Sequence, residues 1–249
     1  MNHTSAVRTN DACPPWVQDF AESVIAQTEQ AWSAAGEYPP RKCGFYVFYS
    51  PVRLRPKLML IGEQPGGGQD AFCLEQALSI PKEHDYVRHP EWLIARKMRS
   101  LFSGINRLKF LEQSVKLNLN FFRAPSSSAW RTTPAPLRRR LETFCEQEVH
   151  EIVKTLQPRL IVCEGLGVYD RMLRQRSVTR REVVLTRRDG SRLYCRAEVA
   201  PGIRLVGFPH PCGMAQPRKD EWPCIGEALA SDLDWIDSAG PQLVNCQAA

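Results

Sequence analysis

The 249-residue chain is 43% hydrophobic with a formal charge of +6, enough apolar content for one large core, expected as a single domain over residues 14–240 between flexible ends at 1–13 and 241–249. The modest positive charge suits an anionic partner without requiring one, and no window approaches the roughly eighteen apolar residues of a membrane span. Nine scattered cysteines without a C-x-x-C pair offer neither zinc-ribbon nor iron-sulfur spacing and read as reduced thiols. With no apolar leader at the N terminus, the chain is expected to be cytoplasmic, monomeric, away from membranes and without a metal or cofactor.

Pro14 and Pro15 start a helix whose apolar stripe is Val17, Phe20, Val24, Ala31 and Trp32, with Gly36 as its stop. Aromatic and β-branched GFYVFYS from Gly44 reads as a strand and KLMLIG from Lys57 as a second, because Pro51 and Pro56 forbid a helix between them. The second runs into Glu63, Gln64, Pro65 and three glycines at 66–68. At the carboxyl end of a strand in an open α/β sheet, such a carboxylate, carboxamide and bare backbone line a ligand crevice.

Leu93, Ile94, Met98, Leu101, Phe102 and Ile105 recur as the stripe of a helix lying on a sheet. KLNLNFF from Lys116 is the next strand, followed by a loop, RAPSSSAWRTTPAP, that is poor core material. Residues 137–156 have helical character, and RLIVCEG from Arg159 is a third apolar strand entering a glycine turn and a helix around 168–173. Strand-helix alternation of this kind predicts an α/β fold with a mainly parallel sheet. Asp189-Gly190 marks a hairpin between residues 183–185 and 193–195, IRLVGF from Ile203 is one more buried strand before PHPCG, and residues 222–236 form a covering helix. The arginine clusters at 138–140 and 187–188 read as solvated faces.

Three strand ends carry unusual polar residues: Glu63 and Gln64 after one, Asn118 and Asn120 within another, His210 after the last. A parallel sheet brings all of them to one edge. Each alone has a plain structural explanation, since a histidine before proline, an asparagine in a strand and a glycine run commonly serve the backbone.

Over residues 57–213 their order and spacing resemble the uracil-DNA glycosylase superfamily. Gly62-Glu63-Gln64-Pro65-Gly66, with Asp70 following, is similar to the first motif of the iron-sulfur branch and its DNA-cross-linking relatives. Asn118 with Arg123 and Pro125 resembles the strand that reads the pyrimidine edge, QPRLIVCEG from Gln157 resembles the strand and glycine turn before the last sheet element, and His210-Pro211-Cys212 stands where the family has histidine, proline and serine.

The resemblance implies a three-layer α/β/α sandwich and a DNA glycosylase without lyase activity, which hydrolyses the N-glycosidic bond of a flipped-out uracil or modified pyrimidine. Under it His210 and Asn118 stabilise the leaving base, Glu63 positions or deprotonates water with Asp70 in reserve, and Gln64 supports the loop or contacts the base. Phe72 takes over base stacking from a phenylalanine segment that is missing here. Arg123, Arg131 and the backbone amides of Ser126, Ser127 and Ser128 hold phosphates, and Met214 is the wedge that fills the vacated stack.

The departures carry expectations of their own. Without cluster cysteines no iron-sulfur centre is expected, and without a histidine in RAPSSSAWRTTPAP no covalent attachment to DNA. Gly66 stands where the uracil-specific relatives block the pyrimidine C5 side with a bulky aromatic, so C5-modified phage bases rival uracil and a role in phage defence rivals repair. Cys212 in place of serine leaves open a catalytically silent sensor of damaged or modified nucleic acid. A phosphate-loop reading of the glycines lacks the required lysine and serine or threonine.

Overall fold

The apolar runs at 58–62, 115–118, 160–164 and 203–208 are buried along their whole length, the pattern of parallel strands covered on both faces. In the computed structural model, which describes residues 13–67, 72–199 and 202–238, the elements follow in the order α1 (Pro15–Ser33), α2 (Pro39–Cys43), β1 (Leu58–Gly62), α3 (Leu74–Ala77), α4 (Asp85–Arg88), α5 (Leu93–Gly104), α6 (Leu108–Glu112), β2 (Val115–Asn118), α7 (Ser127–Arg131), α8 (Ala135–Leu156), β3 (Leu160–Glu164), α9 (Leu166–Arg174), β4 (Val178–Thr186), β5 (Arg192–Val199), β6 (Ile203–Phe208) and α10 (Glu221–Ser238). Six strands form one sheet in the order β2-β1-β3-β6-β5-β4, with β2, β1, β3 and β6 parallel and β5 and β4 an antiparallel hairpin on one edge.

Alternate side chains of the strands feed two cores. Met59, Ile61, Ile161, Cys163 and Leu205 pack with α1, α8 and α9, while Leu58, Leu60, Leu160, Val162 and Val206 pack with α5, α6 and α10. The result is the expected three-layer sandwich. Each fully buried aliphatic side chain contributes about 1.5–3 kcal/mol. Covering helix α10 is also pinned electrostatically. Buried Asp232 accepts from Tyr194 Oη at 2.8 Å and Arg204 at 3.0 Å and pairs with Arg196 at 2.6 Å.

Two expectations are corrected. Residues 44–50 are not a strand: they run beside β2 through isolated bridges of Phe45 to Phe122 and Phe48 to Leu117. Paired residues three apart cannot continue a two-residue ladder, and burial of Phe45, Val47 and Phe48 holds the segment instead. Arg187 is not part of a solvated cluster, because its guanidinium is enclosed against Glu221 at 3.0 Å at the start of α10 and donates to the Ala215 and Gln216 carbonyls. Among the described residues, no helix is long and apolar enough to cross a membrane.

Candidate functional site

The carboxyl ends of β1, β2, β3 and β6 open at one edge of the sheet, around a cavity of about 520 Å³. Glu63, Gln64, Gly66, Asn118, Arg123 and His210 all line it. Six residues expected from separate stretches of sequence thus meet in one place. Lining residues absent from the sequence expectation include Lys116 and Glu164 on the floor, Tyr46, Tyr49, Tyr86 and Trp92 on the walls, and the charged Asp85 and Arg88.

The floor is a buried polar network. Lys116 and Glu164 are buried and pair at 2.8 Å, while Tyr86 donates to the other oxygen of Glu164 at 2.7 Å. Burial, and next the Glu164 carboxylate, push the Tyr86 phenol well above its ordinary pKa, so it remains a donor. Lys116 Nζ also donates to the Leu117 carbonyl at 3.2 Å and to Asn118 Oδ1 at 3.3 Å. The ammonium therefore has two hydrogen-bond acceptors and one ion-pair partner, whose facing oxygen, Glu164 Oε2, has no hydrogen bond among the described residues. Because an ammonium only donates, it holds the Asn118 oxygen and leaves the amide NH₂ for the cavity. Gly62 makes this approach feasible: a Cβ there would run into Asn118 Oδ1 and Lys116 Nζ.

His210 sits on the turn after β6. Its Nδ1 accepts the Cys212 backbone N–H at 3.1 Å, which in the neutral ring leaves the proton on Nε2. Burial lowers its pKa, against the raising effect of Glu164 and with the lowering effect of Lys116, so the neutral donor form is favoured. Two N–H donors, from Asn118 and His210, thus belong to the cavity, each with its acceptor atom satisfied inside the protein.

Above them Glu63 is exposed at the lip, and its backbone carbonyl accepts Asn120 N–H at 2.9 Å. Gln64 donates to the Phe122 carbonyl at 3.0 Å, bracing the loop. Arg123 is buried; it donates through Nε to the Gly66 carbonyl at 3.1 Å and lies 5.6 Å from the Tyr46 ring. It shapes the wall rather than projecting from the surface. Gly67 has φ +103°, and a Cβ there would strike this guanidinium, whereas a Cβ at Gly66 would meet no atom of the described residues within 4 Å. Asp70 lies outside the described residues.

Phe72 does not reach the cavity, which corrects its expected role as a base-stacking residue. It packs at 5.5 Å from Trp32 and 6.1 Å from Phe45 in the core beneath. Apolar surface of that size is buried where it finds partners. The cavity's aromatic walls come instead from residues 46–49 and 86–92. Trp92 stacks on His89 at 4.5 Å with rings 9° from parallel. The signal for the polar floor was a lysine inside the apolar run of β2 and a glutamate closing that of β3, both costly to bury unless paired.

Ser127 and Arg131 line a neighbouring cavity of about 240 Å³ that shares Glu63 and Gln64 with the first. Ser126 is the N-cap of α7, its hydroxyl accepting Ala129 N–H at 3.1 Å, and Arg131 Nε donates to the Ser127 carbonyl at 3.3 Å. Met214 is fully exposed on the loop after His210. No group of three or more His, Cys, Asp or Glu side chains among the described residues is arranged to hold a metal ion. No family model matches the chain, and no curated protein matches it.

Proposed function

We propose that the cavity receives a pyrimidine base turned out of DNA and that the protein hydrolyses its N-glycosidic bond, as the resemblance to the uracil-DNA glycosylase superfamily implies. One observation carries this reading: the Asn118 amide and the His210 ring each have their acceptor atom engaged by the protein, leaving paired N–H donors in an aromatic-walled cavity. Such a pair complements two carbonyl oxygens. It therefore favours a 4-oxo pyrimidine over one with an amino group at C4.

In the reaction, negative charge grows on the leaving base and positive charge on the sugar. His210 and Asn118 donate to the base oxygens as that charge develops, a contribution typically worth about a hundredfold to a thousandfold in rate per donor. Glu63 at the lip orients or deprotonates the attacking water and offsets charge on the sugar. Tyr46, Tyr49, Tyr86 and Trp92 exclude water and contact the base faces. The open space at Gly66 tolerates a substituent at C5.

The replacement of serine by Cys212 does not weaken this reading, since Cys212 serves His210 through its backbone N–H, which any residue but proline supplies. Oligonucleotides containing uracil, a C5-substituted uracil or a C5-substituted cytosine, scored for abasic sites, test the proposal. Excision of the two oxo bases is expected. Tight binding with no abasic sites from any of them would replace the enzyme with a binding module.

A further inference from the structure

At the opposite end of the sheet, below the start of β1, lies a second cavity of about 510 Å³. Arg53, Arg55, Lys57 and Lys109 line it, and among the described residues no carboxylate does. The first three come from the bent segment before β1, in which Arg55 takes a left-handed backbone (φ +50°). Lys109 arrives from α6.

The cations are incompletely satisfied. Arg53 Nε is buried without a hydrogen-bond partner among the described residues. Arg55 Nε reaches Gln157 Oε1 only at 3.4 Å, and among the described residues Lys57 alone has a carboxylate, Asp237 at 2.8 Å, which does not line the cavity. Folding gathers like charges in one concavity and leaves a buried donor unmet, an arrangement an anion would relieve. The other wall is apolar, formed by Leu54, Leu58 and Phe110.

We propose that this cavity is a binding site for a nucleoside phosphate, its phosphate held by Arg53 and Lys109 and its nucleoside lying against Leu54 and Phe110. Guanidinium and ammonium groups suit phosphate oxygens, and the apolar wall suits a ligand with a flat uncharged part. A concavity of this size suits a small molecule, whereas a polynucleotide backbone is met by cations spread along a ridge. This inference is independent of the reaction proposed for the first cavity.

Calorimetric titration of the full chain with adenosine monophosphate, adenosine and inorganic phosphate tests it; a purine is used because the first cavity is read as a pyrimidine site. Adenosine monophosphate is expected to saturate one site per chain, with adenosine and phosphate each weaker by about tenfold or more, the usual scale of losing a charge-assisted hydrogen bond. Arg53→Gln and Lys109→Gln are each expected to weaken it by a similar factor, and His210→Ala to leave it unchanged. Lys109→Gln keeps the test decisive if Arg53→Gln does not fold. No saturable binding, binding lost in His210→Ala but kept in Arg53→Gln and Lys109→Gln, or binding of a single-stranded oligonucleotide alone would overturn the proposal.

Discussion

Lys116 on β2 and Glu164 on β3, the two strands that flank β1, form a buried ion pair at 2.8 Å beneath the cavity. Neither faces solvent, so each charge depends on the other. Removing one partner of such a pair typically costs about 3–5 kcal/mol, whereas removing both can be nearly neutral. Lys116→Met and Glu164→Gln should each lose that much in urea denaturation, and the double variant should recover most of it. An additive double variant would show that the pair is not coupled.

Lys116 also orients the Asn118 amide. In the stable double variant the amide is released to present either end, so the preference for uracil over cytosine at the same site should narrow even where stability recovers. Steady-state excision of both bases by wild type and double variant measures this. Unchanged discrimination would leave Lys116 a purely structural residue.

Glu63→Gln, Asn118→Ala and His210→Ala should each lower single-turnover excision by about a hundredfold or more. Glu63 is exposed, so its variant should keep wild-type stability and isolate a chemical effect. Wild-type rates in all three would remove the proposed site.

Gly66 and Gly62 should respond in opposite ways. Gly66→Tyr enters open space and should preserve stability while rejecting C5-substituted pyrimidines more than uracil. Gly62→Ala drives a Cβ into Asn118 and Lys116 and should lose both stability and excision. Competition between substituted and plain uracil substrates, together with thermal melting, separates the two.

His84 predicts acid sensitivity of the same wall. Its Nδ1 caps α4 by accepting Tyr86 N–H at 3.0 Å, its Nε2 meets Ser114 at 3.1 Å, and burial lowers its pKa from 6.5 to about 3. The unfolded chain takes up a proton below pH 6.5 and the folded chain resists it. The stabilising contribution is therefore complete above pH 6.5 and is lost as pH falls toward 3, by about 5 kcal/mol across the window. His84→Asn, which keeps a capping acceptor but does not titrate, should show a flatter stability profile between pH 7 and pH 4. Parallel profiles would refute the assignment.

Burial on both faces left its mark on composition, so the apolar runs of β1, β3 and β6 and the Asp189-Gly190 hairpin were legible, as was the stripe of α5 at Met98, Leu101 and Phe102, though Leu93 is exposed and Ala95 is buried in its place. So was the convergence of Glu63, Asn118 and His210, because parallel strands place their carboxyl ends together whatever lies between. The aromatic walls were not legible. Residues 44–50 have strand-like composition yet pair only at Phe45 and Phe48, and Phe72 has the character of a stacking residue yet is taken by Trp32 and Phe45.

Local pattern by itself determined the parallel strands β1, β2, β3 and β6 and the long helices α1, α5, α8 and α10, since periodicity and turn chemistry act over a few neighbouring residues. It also determined that polar residues gather at one edge of the sheet. Only the tertiary structure decided their working states: that Lys116 pairs with Glu164 and donates to Leu117 and Asn118, that His210 carries its proton on Nε2, and that Tyr86 and Trp92 rather than Phe72 face the cavity. Those states depend on contacts between residues far apart in the chain, where one partner's geometry selects the other's hydrogen-bonding role.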